Sequence, residues 1–163
     1  MNTLSKQLHA AMQAVATACQ ITRAVQERLD EVTALTKDDR SPVTVADYAA
    51  QAIVTLTLQE MLDDPADHRI VGEEDADGLA GDDAAVVRRA IVEVVGHWRN
   101  GIDEQDVLAA IDSCDHDGTS ESYWTLDPVD GTKGFLRGQQ YAIALGRIEH
   151  GHVVAGVMGC PAL

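Results

Sequence analysis

Apolar residues recur at helical spacing from Leu4 to about Leu35, at Leu4, Leu8, Ala11, Met12, Val15, Ala18, Cys19, Thr22, Val25, Leu29 and Val32. A period of 3.6 residues sustained over so many turns predicts one long amphipathic helix, whose apolar stripe needs other elements to cover it. Lys37-Asp38-Asp39-Arg40-Ser41-Pro42 breaks the run, and Val43-Thr44-Val45 reads as a short extended connector into Ala46-Asp47. A second helix follows, with Ile53, Leu56, Leu58, Met61 and Leu62 on its buried side, until Asp63-Asp64-Pro65 stops it.

Further along, Arg69-Ile70-Val71-Gly72 predicts a short buried strand that delivers Glu73-Glu74-Asp75 at its C-terminal end. Asp75 to Asp83 is rich in glycine and aspartate and reads as loop, Ala84 to Trp98 and Glu104 to Ile111 as helices, and Asp112 to Ser122 as polar loop. Tyr123 to Leu126 opens another strand, and two more, Tyr141 to Leu145 and Val153 to Met158, pair across Glu149-His150-Gly151-His152. Helices gathered ahead of strands define a layered α/β (α+β) architecture, with the long N-terminal helices packed on one side of a mainly antiparallel sheet, in one domain over residues 1–163. The final Val157-Met158-Gly159-Cys160-Pro161-Ala162-Leu163 closes a strand with nothing after it to cover the new edge. It reads as an interrupted domain with an edge open to self-association.

With 27 acids against 12 bases the formal net charge is -15, so the surface field repels polyanions and a nucleic acid polymer is excluded as a partner. An anionic small molecule can bind only through a metal or a nest of backbone amides. Cys19, Cys114 and Cys160 are odd in number and widely spaced, the pattern of reduced thiols in a cytoplasmic protein. Lys6, His9, Gln13 and Gln20 interrupt the N-terminal segment, and no run of apolar residues suits a membrane span or a targeting signal.

The acids are placed unusually. Asp47 follows Val43-Thr44-Val45, Glu73 follows Ile70-Val71-Gly72, and Asp127 and Asp130 follow Trp124-Thr125-Leu126, each at the mouth of a segment read as extended. If these segments converge, their carboxylates surround one point, and hard oxygen donors at one point are what Mg²⁺ requires. Pro128 fixes one φ angle, so that a turn over Asp127-Pro128-Val129-Asp130 can aim both carboxylates and the Val129 carbonyl to one side. Gly131-Thr132-Lys133-Gly134 can then start a helical turn whose free N–H groups point back at the same place, where a phosphate fits between them and the metal. Taken singly these motifs have duller readings: Asp47 as a helix cap, Glu73-Glu74-Asp75 as a solvated turn, Asp-Pro-Val-Asp-Gly as a simple turn. Their order along the chain is what points to metal-assisted hydrolysis of a phosphate ester.

Ser41-Pro42-Val43-Thr44-Val45-Ala46-Asp47, Val71-Gly72-Glu73-Glu74-Asp75 and Trp124-Thr125-Leu126-Asp127-Pro128-Val129-Asp130-Gly131-Thr132 resemble three successive signatures of the inositol monophosphatase superfamily. Lys133-Gly134-Phe135-Leu136-Arg137-Gly138 and Val157-Met158-Gly159-Cys160-Pro161 resemble its fungal and plant 3′(2′),5′-bisphosphate nucleotidase branch. The resemblance implies a Mg²⁺-dependent, lithium-sensitive phosphatase of sulfur metabolism whose substrate is a small phosphorylated nucleotide. It would convert 3′-phosphoadenosine 5′-phosphate to AMP and also take the related phosphosulfate. It implies Glu73, Asp127, Asp130 and the Val129 carbonyl as metal ligands, and Asp47 with Thr132 as the pair that activates water. The Gly131 and Thr132 amides would hold phosphate, with Glu74 just behind the ligands. Members of the family run to roughly twice this length, a size suited to one or two domains. The resemblance therefore covers an N-terminal part, and another metal-binding aspartate and most of the adenosine site belong to the remainder. The alternatives are an inositol (poly)phosphate phosphatase and a non-catalytic remnant or interaction module.

Overall fold

A computed structural model describes residues 3–29 and 42–163. Helix α1 (Thr3–Glu27) is followed by α2 (Pro42–Met61), a 3₁₀ turn at Pro65–His68 and the two-residue strand β1 (Ile70–Val71). Next come 3₁₀ turns at Ala76–Leu79 and Asp82–Ala84, then α3 (Ala85–Gly96), α4 (Glu104–Asp112), β2 (Ser122–Asp130), α5 (Thr132–Leu136), β3 (Ala142–Glu149) and β4 (His152–Gly159). The described strands form one sheet in the order β1-β2-β3-β4, with β1 parallel to β2 and the other two pairings antiparallel. Helices α1 and α2 pack on each other and on this sheet, α2 against β2 and α1 against β3 and β4. The expected layered architecture is present; the part of the first periodic run beyond Leu29 lies outside the described residues.

Several local expectations are corrected. Val43, Thr44 and Val45 are helical, because Pro42 stands at the first position of α2, where its fixed φ starts a helix instead of ending one. Burial of Val43 and Val45 in the core compensates their modest helix propensity. The covered stripe of α1 is also narrower in side-chain size than its apolar period suggests: Ala10, Ala11, Ala14 and Ala18 are buried, whereas Leu4, Leu8 and Met12 are exposed. Alanines let α1 and α2 approach closely, and α2 is buried on nearly every side, from Pro42 through Leu58. Asp75 to Asp83 contains two 3₁₀ turns, the first capped by the Asp75 carboxylate, which accepts from Gly78 N–H.

The turn expected at Asp127 to Asp130 is a β-bulge. Asp127 faces Ala144 and Asp130 faces Ala142, so β2 spends one more residue than β3 over that interval. A bulge accommodates Pro128, which has no N–H for a ladder. The β3–β4 connection is the anticipated tight hairpin, with His150 and Gly151 at φ 49 and 76, the left-handed pair a two-residue turn demands. Strand β4 is the sheet edge on its side among the described strands, and Val153 and Met158 are largely exposed there.

One end of the helix–sheet interface is closed by a buried charge pair. Arg147 Nη2 donates to Asp67 Oδ1 at 2.7 Å, Gln7 Nε2 donates to the same oxygen at 2.8 Å, and Trp124 Nε1 donates to the Asp67 carbonyl at 2.9 Å. The guanidinium carbon lies 5.2 Å from the centre of the Trp124 ring. This network ties α1, the turn before β1, β2 and β3 together. Removing one member of such a pair strands the other charge in the core. Asp67→Ala is therefore expected to lower unfolding free energy by about 3 kcal/mol in denaturant titration, and Arg147→Met in the same background to recover part of that loss.

Candidate active site

Three supports deliver the acids. Asp47 lies in the second turn of α2 and not at the mouth of a strand, Glu73 and Glu74 follow β1, and Asp127 and Asp130 flank the β2 bulge. The paths converge. Burial pushes the Asp47 carboxyl up to about 8, with further upward pressure from the charges of Glu74, Glu73 and Asp127 in that order. Asp127 is raised by burial, then by the neighbouring charges of Glu73 and Asp130. The Val129 backbone N–H opposes that shift, and Asp127 Oδ1 is buried with no hydrogen-bond partner among the described residues. Glu74 is raised chiefly by burial; the Tyr48 hydroxyl, within hydrogen-bond reach of its carboxylate, opposes that shift.

Asp47, Glu73, Glu74 and Asp127 thus form one electrostatic cluster, and Asp130 joins it through Asp127. Glu73 and Glu74 line an open cleft of about 540 Å³ with Gly72, Asp75, Asp112 and His116. Among the described residues no three His, Cys, Asp or Glu side chains close into a ligand cage. The donor set still fits a hard divalent ion: it is all oxygen, and the orphaned Asp127 oxygen lacks a partner that a cation would supply.

Beside these acids, Gly131 adopts a left-handed conformation (φ 98, ψ 40) that starts α5. Its carbonyl accepts from Gly134 N–H and Phe135 N–H at 2.7 and 3.1 Å. The first N–H groups of the turn have no intrahelical acceptor and lie at the solvent-exposed Gly131 and Thr132. Gly134 is required by packing, because a Cβ there would run into the Gln140 carbonyl. Helix α5 packs against α2, but among the described residues Thr132 and Asp47 are not hydrogen-bonded to one another.

Sequence reading missed two residues of α2. The Tyr48 hydroxyl donates to the Asp75 carbonyl at 3.1 Å, and Gln51, wholly buried, bonds both backbone groups of Glu74. The available signal was a glutamine one helical turn after Asp47, set among Ala49, Ala50, Ala52 and Ile53, a polar side chain where the pattern asks for an apolar one.

Acids on a helix, a strand end and a bulge, beside a glycine-started turn, thus share one edge of the helix–sheet core. Residues 3–163 match the inositol monophosphatase family, and the chain belongs to it. It is 42% identical to 3′(2′),5′-bisphosphate nucleotidase 1 of Arabidopsis thaliana over 97% of this chain and 47% of that one. It is 44% identical to the 3′(2′),5′-bisphosphate nucleotidase of Schizosaccharomyces pombe over 80% and 38%. Among solved structures, CysQ from Bacteroides thetaiotaomicron, a bacterial member of the same family, shares the fold at a TM-score of 0.54 and 21% identity, over 94% of this chain and 42% of that one. The chain spans about half the length of the curated relatives it matches.

The clustering has a pH signature in metal-free buffer. Because the folded chain holds Asp47 at about 8 against an ordinary value of 3.8, the stability linked to it is full below about pH 4 and is lost as pH rises toward 8. In chelator, Asp47→Asn should melt higher than the parent at pH 8, with the gap closing toward pH 4. A constant gap across that range would mean that burial and the neighbouring acids do not raise Asp47.

Proposed function

We propose that this site hydrolyses the 3′-phosphate of a small bisphosphorylated nucleotide, 3′-phosphoadenosine 5′-phosphate to AMP, and also acts on the related phosphosulfate. The convergence of Asp47, Glu73, Asp127 and Asp130 carries this reading, with the buried, unpartnered Asp127 oxygen as its most specific element. The names of the relatives supply the substrate class.

In this scheme Glu73, Asp127, Asp130 and the Val129 carbonyl would hold Mg²⁺, which when bound would supply charge to neutralise phosphate oxygens and to acidify a water. Asp47, outside the ligand set, takes the proton of the attacking water, with Thr132 orienting that water from the start of α5. The amides of Gly131 and Thr132 hold the phosphate, and Glu74 supports Asp47 from behind. Lithium would compete at the same carboxylates. An inositol phosphate is the second substrate to test, on the strength of the family match.

The division of roles is measurable. By calorimetry on the chain, Asp127→Asn should weaken Mg²⁺ at least tenfold, whereas Asp47→Asn should leave affinity within about twofold. Turnover is measured on a chimera in which the remaining part of the Arabidopsis relative follows Leu163. Excess Mg²⁺ should recover part of the phosphate release lost in Asp127→Asn and none of that lost in Asp47→Asn. Equal rescue of both variants makes Asp47 another ligand, and faster release from inositol 1-phosphate overturns the nucleotide assignment.

A further inference from the structure

We propose that Gln51 is the positioning residue of the site, clamping the Glu73–Glu74 segment to the helix that bears Asp47. The proposal rests on the metal-site reading above for its consequence and on hydrogen-bond geometry for its substance.

Strand β1 is only two residues long and pairs with β2 at Ile70 and Val71 alone. Beyond it the chain has little ladder to follow. Val71 bridges Asp115, and Gly72 N–H donates to the Cys114 carbonyl at 2.9 Å. Gln51 then takes over: its Nε2 donates to the Glu74 carbonyl at 2.6 Å, and its Oε1 accepts from Glu74 N–H at 3.1 Å. A primary amide meeting both groups of one residue reproduces a pair of β-ladder bonds with a side chain. The same Nε2 reaches the Ile111 carbonyl at 3.3 Å, which ties the clamp to the end of α4.

Glu73 is therefore bracketed, with Gly72 fixed on one side and Glu74 on the other, and its carboxylate is carried to Asp127. Gln51 sits one helical turn after Asp47, so a single rigid face of α2 presents Asp47 and sets the distance to Glu73. The space for the clamp exists because residue 72 is glycine: a Cβ there would lie 2.7 Å from Gln51 Oε1 and 2.7 Å from Cys114 Cβ. A buried glutamine used only for packing would have no need to satisfy both groups of one peptide segment beside the acids, nor of a glycine cut away to admit it.

The test compares the parent, Gln51→Met, Gly72→Ala and the remote core variant Ile91→Val, all at a temperature where each is folded. Two quantities are read: hydrogen exchange of the Glu74 amide and calorimetric Mg²⁺ affinity. In the parent, the Glu74 amide should exchange at least tenfold more slowly than that of exposed Asp77. Gln51→Met and Gly72→Ala should abolish that protection and weaken Mg²⁺ about tenfold, the effect typical of residues that hold metal ligands in place. Ile91→Val should change neither, which separates positioning from general destabilisation. The proposal is overturned if Glu74 exchanges freely in the parent, if the variants expose it without weakening Mg²⁺, or if Ile91→Val weakens Mg²⁺ equally. If Gln51→Met does not fold, Gly72→Ala and the parent exchange decide. A parent that protects Glu74 yet binds no Mg²⁺ would refute the metal-site reading, and the exchange comparison alone would then decide whether Gln51 holds the segment.

Discussion

Carboxylates crowded at the edge of a protein interior repel each other, and everything around this site resists that repulsion. Burial raises Asp47, Glu74 and Asp127 alike, and each is raised further by its acidic neighbours. A flexible loop would relieve the strain by swinging its acids into water. Here the acids stand on a buried helix, on a strand end and on a bulge, so separation would require the backbone to move.

The backbone is held by side chains where secondary structure runs out. Gln51 does this for the segment after β1. Gln26, near the end of α1, does it for the turn beyond the bulge, donating to the carbonyls of Phe135 and Gln139 at 2.9 and 3.1 Å. At the opposite end of the helix layer, the Arg147–Asp67 pair with Gln7 and Trp124 locks α1 and the approach to β1 onto the sheet. Buried polar contacts add little net stability, but their directionality gives a unique arrangement when every acceptor is specified. A site that must hold like charges at fixed separations gains most from that property.

Much of this was legible in the sequence because the signals were periodic or chemically restrictive. The α1 period, the His150-Gly151 hairpin, the brief strand at Ile70 and the glycine-started turn after Asp130 each rest on local rules that packing did not overturn. What escaped notice depended on context. Pro42 marks either the end of one element or the first residue of another, and only the packing of Val43 and Val45 into the core decides between them. The Asp127 to Asp130 stretch has the composition of a turn, yet continued pairing with β3 makes it a bulge. Gln51 looks like one polar residue in an apolar helix until its partner, the Glu74 backbone more than twenty positions away, is in place.

The proposed role of these acids is to hold a divalent cation. Thermal unfolding of the unaltered chain in Mg²⁺, against NaCl at matched ionic strength, tests that most directly. A cation that binds the folded chain at this site should raise the melting temperature saturably with Mg²⁺ concentration, beyond what NaCl screening achieves. Identical melting curves in the two salts would contradict it.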